Sequence, residues 1–182
     1  IRFRQYYILI FSLNNLNDNF NVSRLEYYVS KITIIHDGGM LTPATDVYAL
    51  VDAGSTTNIN LGSYNIVSVE GIKFSVGVDT PNNNGDPTLW PSSHPLAPKS
   101  PSMHWGWAAG YRFVAMEGKS GGSLNTVYEI HALGNQNYFE QTIMAIGISN
   151  GSQIEVNLEA DYSDAINNIS VASGIISHGD IN

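Results

Sequence analysis

The chain has no cysteine among its 182 residues. This absence excludes disulfide bonds, thiolate zinc sites, iron–sulfur clusters and cysteine nucleophiles. It does not exclude an oxidising compartment, because many exported bacterial proteins lack disulfides. Catalytic motifs are also missing. The sequence has no Gly-x-Ser-x-Gly elbow, and "GKSGG" at 118–122 lacks the upstream glycine of a phosphate-binding loop and is predicted to be a hairpin turn. We therefore expect a protein that is not an enzyme.

Charged residues are scarce, at 13% of the chain, whereas about a quarter is usual. Eight Lys and Arg residues face 16 Asp and Glu residues, so the formal net charge is −8. Nucleic-acid binding normally needs a clustered basic face, and we predict no nucleic-acid partner. No apolar run reaches the roughly 18 residues that span a bilayer. The Asn/Ser/Gly-rich composition and the first residue, Ile1, are compatible with a mature exported chain.

The dominant hydrophobic period is two residues, which is typical of β-strands. Gly- and Asn-rich turns such as "HDGGM" at 36–40 separate the alternating segments. We predict a single all-β domain over residues 1–182, an antiparallel β-sandwich with Greek-key-like connections. The predicted strands are 2–11, 24–35, 46–52, 56–62, 71–79, 111–117, 126–133, 142–148 and 154–158.

One long irregular segment, Thr80 to Ser102, interrupts this pattern and holds six of the seven prolines. A loop of this length inside a compact domain is usually functional or mobile. Its first part, "DTPNNNGDP", is dense in oxygen ligands, which suit calcium. The alternative is an Asx-rich turn whose side chains cap their own backbone. The calcium ligands on the first interpretation are Asp79, Asn82, Asn84 and Asp86.

The five histidines show no His-x-His or His-x3-His spacing, so a metal site has to be assembled from several strands. The stretch "SMHWGWAAGYRF" at 102–113 places Met103, His104, Trp105 and Trp107 within five positions. Imidazole and thioether ligands suit copper. The alternative is that these side chains fill a core with their polar tips satisfied. Strand alternation places His104 opposite both tryptophans unless the backbone bends at Gly106.

Six segments carry a resemblance to a known family, in order from about residue 20 to 180. They are "FNVSRLEYYVSKITI" (20–34), "VYALVD" (47–52), "IKFSVGVDTPNN" (72–83), "LWPSSHPLAPKSPSMHWGWAAGYRFVAMEG" (89–118), "YEIHALG" (128–134) and "ISHG" (176–179). The chain resembles the MbnP-like family, the methanobactin-associated periplasmic copper-binding proteins. Trp105, Trp107, His131 and His178 match residues of that family's pattern.

The resemblance implies an all-β extracytoplasmic domain, in the periplasm, on the outer-membrane surface or secreted. It also implies copper bound by imidazoles near a tryptophan, which a di-haem peroxidase of the MauG type oxidises to kynurenine. Opening the indole exposes an aniline nitrogen, a ligand that intact Trp cannot offer because its N–H is only a donor.

The preferred hypothesis is an exported protein that holds copper with His104 and His131, together with His94 or His178. Met103 is then a soft auxiliary ligand, and Trp105 or Trp107 lines the site or becomes its modified ligand. The second hypothesis is a cell-surface structural or adhesive module without a metal. It rests on the N-terminal segment "IRFRQYYILIF" (1–11), which is apolar on both faces and is expected to self-associate.

Overall fold

The structure is a computed structural model that describes residues 1–4 and 12–179. Its regular elements are mostly short strands. Within the described residues these are β1 (Arg2–Arg4), β2 (Ser12–Leu13), β3 (Asn19–His36), β4 (Met40–Pro43), β5 (Ala49–Asp52), β6 (Thr57–Asn58), β7 (Val69–Val76), β8 (Arg112–Ser120), β9 (Thr126–Leu133), β10 (Phe139–Met144), β11 (Ile148–Asn150), β12 (Gln153–Glu155), β13 (Asn157–Glu159) and β14 (Ile176–His178).

Helical structure in the described chain is limited to single turns. Two are α-helical, α1 (Thr80–Asn83) and α2 (Gly106–Ala109), and three are 3-10 turns at Pro87–Leu89, Asn135–Asn137 and Ser163–Ile166. No helix of the described residues has the length and hydrophobicity needed to cross a bilayer. The prediction of an all-β fold is confirmed.

Strand β3 organises the main sheet, which has nine strands. Six of them follow the order β10-β7-β3-β8-β9-β14, and β2, β4 and β5 also pair with β3. Strand β3 pairs with β8 over Phe20–Tyr27 and with β7 over Val29–His36. Within the β3–β7 pairing the register shifts between Ser30 and Thr33, where Lys31 has φ +48°. Such a bulge bends a strand and increases its twist, so the sheet curls at this point.

The main sheet is mixed, which differs from the antiparallel arrangement predicted. Strand β14 runs parallel to β9, and β1 runs parallel to β13 in a separate three-stranded sheet, β13-β1-β6. Parallel neighbours need a long crossover connection, and residues 134–175 supply it between β9 and β14. Side chains alternate with a period of two residues in both parallel and antiparallel strands, so the hydrophobic pattern of the sequence did not distinguish a mixed sheet from an antiparallel one. The sandwich and its Greek-key-like connections stay predictions.

Buried apolar side chains form three clusters around the main sheet. The cluster nearest the "SMHWGW" stretch contains Tyr28, Val78, Leu96, Met103, Tyr111, Phe113 and Ala115. Two tyrosine hydroxyls of this cluster reach backbone carbonyls of the proline-rich segment: Tyr28 donates to Pro95 at 3.3 Å and Tyr111 donates to Leu96 at 2.6 Å. Residues 80–102 thus lie against the core, with α1 and one 3-10 turn but no strand in this described segment.

The turns confirm several local predictions. "HDGGM" connects β3 to β4, and the turn at 121–124 joins β8 to β9 as a hairpin. The predicted N-terminal strand is present in the described residues as β1, which pairs through all three residues with β13 and through Arg2 and Phe3 with β6. Residues 5–11 of the segment expected to self-associate lie outside the described residues, and that expectation stays a prediction.

Candidate metal centre

Strands β9 and β14 bring three metal-ligating side chains to one face. Their parallel register pairs His178 with His131 and Ile176 with Glu129. Side chains two apart on a strand share a face, so Glu129 and His131 point the same way, and His178 lies beside them. The possible ligand atoms of these three residues all lie within 4.8 Å of one another. We call this group, Glu129, His131 and His178, the β9–β14 cluster.

The two imidazoles of the cluster are in direct contact. The ring centroids of His131 and His178 are 4.8 Å apart with an interplanar angle of 21°. Nε2 of His178 lies 3.3 Å from Oε2 of Glu129. His131 is 3% exposed, whereas His178 and Glu129 are half-buried. The cluster therefore has a buried end at His131 and an accessible end at His178.

Glu117 on β8 determines which ring nitrogen of His131 carries the proton. Nε2 of His131 lies 2.9 Å from Oε1 of Glu117, and Arg24 donates to the same oxygen at 2.7 Å. Burial raises the pKa of Glu117, but hydrogen bonds from His131 and Arg24 and their charges outweigh burial, so the pKa is lowered. The ionised carboxylate only accepts hydrogen bonds. Nε2 of His131 therefore donates, and Nδ1 keeps its lone pair.

That Nδ1 atom of His131 is buried and has no hydrogen-bond partner. A buried polar atom without a partner normally costs free energy, so its presence calls for an explanation. Burial lowers the pKa of His131 more than the Glu117 hydrogen bond raises it, and the ring is neutral near pH 7. Neutral imidazole is the metal-binding form, and a carboxylate on the far nitrogen is the usual partner of a ligating histidine.

Trp105 covers the cluster from the side. Its ring centroid lies 4.4 Å from that of His178 and 5.9 Å from that of His131. The guanidinium carbon of Arg112 lies 4.6 Å from the indole centroid, a cation–π contact that orients the ring. Trp105 and His178 also border a surface cavity of about 530 Å³. An ion therefore has a route from solvent to the cluster.

A bend at Gly106 places Trp105 and His104 in different surroundings. Gly106 has φ +82° and begins the helical turn α2, a backbone conformation that favours glycine. The ring of His104 packs against Tyr111 at 4.8 Å, whereas Trp105 packs on the cluster. The bend required for His104 to join Trp105 is present, but His104 does not belong to the three-residue group.

The other residues predicted to be ligands lie apart from the cluster. The ring of His94 stacks on Trp90 with centroids 4.1 Å apart and 8° between planes. Met103 is 1% exposed within the core, and its Sδ receives a hydrogen bond from Arg24 at 3.1 Å. Trp107 is 64% exposed. Of the residues predicted for the site, the structure brings together His131, His178 and Trp105.

The side chains of the predicted calcium loop make hydrogen bonds both within their own turn and to residues outside it. Oδ1 of Asp79 accepts from the hydroxyl of Tyr48 at 2.6 Å and from Nδ2 of Asn82 at 3.2 Å. Asp86 accepts from the backbone N–H and hydroxyl of Thr88, and Asn84 donates to the carbonyl of Trp107. The bond from the backbone N–H of Thr88 to Asp86 is of the kind expected for an Asx-rich turn, the alternative interpretation. Calcium binding stays a prediction.

Two carboxylates of the site were not predicted. Glu117 and Glu129 are not among the residues predicted for the site, and both lie within strands and are paired across β8 and β9. The signal for Glu129 was present, because alternation puts it on the same face of β9 as His131. To predict that Glu117 lies beside His131, the register of β8 against β9 has to be known, and a single sequence does not supply it.

The cluster fits a first-row transition metal. Metal–ligand bonds of about 2.0–2.2 Å place ligand atoms about 3–4 Å apart, so small side-chain rotations from the present separation close the group around one ion. Imidazole suits copper, zinc, iron and nickel, and carboxylate oxygen suits the harder ions among them. The partnerless Nδ1 of His131 supplies a donor that needs no other hydrogen bond to be broken.

Comparisons with known proteins bear on the fold and the family. The structure is similar to a solved structure, MbnP from Methylosinus trichosporium, with a TM-score of 0.50 and 17% sequence identity. The match covers 92% of this chain and 73% of that chain, and at this identity it shows the fold alone. The comparison with curated proteins gives no match. The family model of MbnP matches residues 1–178, and the chain therefore belongs to the MbnP family.

Proposed function

We propose that this protein is an extracytoplasmic copper-binding protein that holds the ion with His131, His178 and Glu129 beside Trp105. The observation that carries the proposal is the Nδ1 atom of His131, buried and without a hydrogen-bond partner in a group of three ligating side chains. Membership of the MbnP family supports a role linked to methanobactin. Two imidazoles suit copper among other first-row ions, and copper is the proposed cargo because the chain belongs to the MbnP family, which the sequence resemblance links to copper binding.

The proposed role is capture or handover of the ion rather than turnover. The β9–β14 cluster consists of two imidazoles and a carboxylate, which can hold an ion, and the chain has no Cys. A binding protein needs an accessible site, and the cavity beside His178 and Trp105 provides access. The site is therefore suited to loading from solvent or from a partner that docks at the cavity.

Modification of a tryptophan by a MauG-type di-haem peroxidase is the finer part of the proposal. Trp105 is the residue to examine, because its ring contacts both imidazoles of the cluster, whereas Trp107 is largely exposed. Conversion of indole to kynurenine gains two oxygens and loses carbon monoxide, a net change of about 4 Da. Peptide mass mapping of protein from its native cells tests this. An unmodified Trp105 peptide would show that the cluster works without kynurenine.

The main test is copper loading of the purified chain. Metal analysis after dialysis should give one copper per chain for the wild type and for His94→Gln/His104→Gln. The His131→Gln/His178→Gln variant should give none. Copper retained by that variant, or no copper in the wild type, would refute the proposal. Fractionation of native cells, probed with an antibody, tests the extracytoplasmic location, and recovery in the cytoplasm would contradict it.

A second candidate function, a self-associating surface module, is favoured by the exposed edge of the main sheet. Among the described residues, strand β10 pairs with β7 on one side and ends the strand order on the other. Phe139 and Met144 on β10, and Ile146 just after it, are exposed. Apolar edge strands are prone to pair with other chains. Light scattering of the metal-free chain distinguishes the candidates. A wild-type chain that is monomeric, with a molar mass that Met144→Lys does not change, argues against self-association.

A further inference from the structure

A second cavity, of about 320 Å³, is bordered by β3, by the loop that joins β4 to β5 and by Asp79. Among the described residues it shares no lining side chain with the cavity beside His178 and Trp105. We propose that this second cavity binds a small zwitterion of the amino-acid type, whose ammonium group pairs with Asp79 and Asp46 and whose carboxylate pairs with Lys31. Such a site is separate from the β9–β14 cluster and adds a ligand that the proposed function does not include.

Asp79 is the buried charge of this cavity, and it is 8% exposed. It stands at the N-cap of α1, where an Asp side chain normally accepts a backbone N–H of the first turn, but it makes no such bond. Instead, Oδ1 accepts from the hydroxyl of Tyr48 at 2.6 Å and from Nδ2 of Asn82 at 3.2 Å. Oδ2 has no hydrogen-bond donor among the described residues. A buried carboxylate held through one oxygen, with the other unused, is suited to bind a cation.

Lys31 brings a positive charge to the same cavity. Its backbone has φ +48°, a conformation that glycine adopts without the steric penalty that a lysine incurs. The bulge of β3 requires only this backbone conformation, so it does not explain the long charged side chain. Lys31 forms no ion pair with the described residues. Its ammonium group is therefore available to an anionic group of a ligand.

Asp46 is the third charged residue that lines the cavity, and it is exposed. Like Lys31, it has a left-handed backbone, with φ +57°. Although Lys31 and Asp46 have opposite charges and border one cavity, they form no salt bridge with each other. Opposite charges separated by a cavity leave room for a ligand that carries both, with its ammonium group near Asp46 and Asp79 and its carboxylate near Lys31.

The rest of the wall and the size of the cavity favour a ligand of amino-acid size. Ile32 and Ala44 line the cavity and are 1% and 4% exposed, and Val47 beside them is half-buried. Small-molecule sites combine apolar walls with a few placed polar groups and span about 300–1,000 Å³. A cavity of about 320 Å³ lies at the lower end of that range. Leucine, with two charges and a short apolar side chain, is therefore the probe.

An NMR titration of the full, isotope-labelled chain with leucine tests the proposal. We expect saturable shifts of the backbone amide signals of residues 44–48, with a Kd of about 1 mM or lower. N-acetyl-leucine lacks the ammonium group and leucinamide lacks the carboxylate, so each should bind at least about 10-fold more weakly. Shifts that do not saturate with leucine, or equal binding of all three compounds, would overturn the proposal. Signal changes with Ca²⁺ alone and none with leucine would overturn it in favour of the calcium interpretation of Asp79.

Two variants separate a binding role of the charges from a structural one. Lys31→Gly suits the left-handed backbone and removes the ammonium group, so the urea midpoint should stay level or rise, while leucine binding weakens by about 10-fold or more. Asp79→Asn keeps an acceptor for Tyr48, removes the charge and should weaken leucine binding as much.

The matched controls are Lys119→Gln and Asp164→Asn, which alter exposed charges outside the cavity. They should change the Kd by less than about 3-fold. Leucine binding that survives both Lys31→Gly and Asp79→Asn, or that the controls weaken equally, would overturn the assignment of these charges to the ligand.

Discussion

The strand histidines, His131 and His178, and the loop histidines, His94 and His104, are all packed by aromatic rings but differ in whether other ligating side chains lie beside them. Each loop histidine uses Nδ1 to accept a backbone N–H two residues later, Leu96 for His94 at 3.2 Å and Gly106 for His104 at 3.3 Å. On a strand the neighbouring N–H groups point to adjacent strands, and Nδ1 of His131 has no partner.

The difference shows what a ligating histidine needs in this fold. In a turn, an imidazole readily satisfies its own backbone, and a ring nitrogen engaged in that way is not free to bind an ion. In a strand, the ring nitrogens depend on side chains of neighbouring strands, here Glu117 for His131. Nε2 of His104 is also buried without a hydrogen-bond partner, but among the described residues only His131 and His178 form a group of ligating side chains, with Glu129. The presence of other ligating side chains beside a histidine therefore separates ligand candidates better than its proximity to tryptophan in the sequence.

The largest effect on copper affinity is expected when one of the two strand histidines is removed. His131→Ala or His178→Ala removes one of three ligands and should weaken copper binding by more than about 100-fold, above the range for residues that only orient a ligand. His94→Ala and His104→Ala, the matched controls, should change it by less than about 3-fold. Chelator competition measures all four. A large loss in a loop variant would mean that the comparison between strand and loop is wrong.

The second-largest effect on copper affinity is expected at Glu117, the carboxylate that orients His131. Glu117→Gln replaces an obligate acceptor with a side chain that also donates, so the tautomer of His131 is no longer fixed. Copper affinity should fall by about 10- to 100-fold. Glu26→Gln is the control, because Glu26 forms the other salt bridge of Arg24, at 2.6 Å. If the two variants behave alike, Glu117 acts through Arg24 and the fold rather than through His131.

A smaller effect distinguishes the two tryptophans. Cu²⁺ quenches indole fluorescence at short range, and Trp105 contacts the cluster while Trp107 is exposed. Copper should quench the wild type and Trp107→Phe, and quenching should be mostly lost in Trp105→Phe. The affinity should change by only a few-fold, since Trp105 packs on the ligands without being one in this geometry. Quenching that survives in Trp105→Phe would move the bound ion away from the β9–β14 cluster.

The smallest expected effect is on the stability of the metal-free chain. Burial lowers the pKa of His131 below its usual value of about 6.5, so the unfolded state binds more protons between the two values. Stability should fall as the pH drops through about 6.5 and level off below the folded pKa. Urea unfolding from pH 8 to 5 with a chelator present measures this slope. His131→Gln should flatten it more than His94→Gln, because His131 is the more buried residue.

Alternation predicted the β-class and the position of β9, which was predicted and is observed at 126–133. It did not predict that β14 lies parallel to β9, and this register is what sets His178 beside His131. Pairing between residues 47 positions apart in sequence, as His131 and His178 are, is decided by packing of the whole sheet rather than by local pattern. The same limit explains why Glu117 was missed and why His104, adjacent to Trp105 in sequence, received more weight than its geometry supports.

The most direct test of the central claim is an anomalous diffraction map from a copper-loaded crystal. The strand–loop comparison predicts one strong peak at the copper edge, within about 2.0–2.2 Å of ring nitrogens of His131 and His178 and beside the ring of Trp105. A peak at His94, at His104 or in the Asp79–Asp86 turn, with none at the β9–β14 cluster, would contradict it.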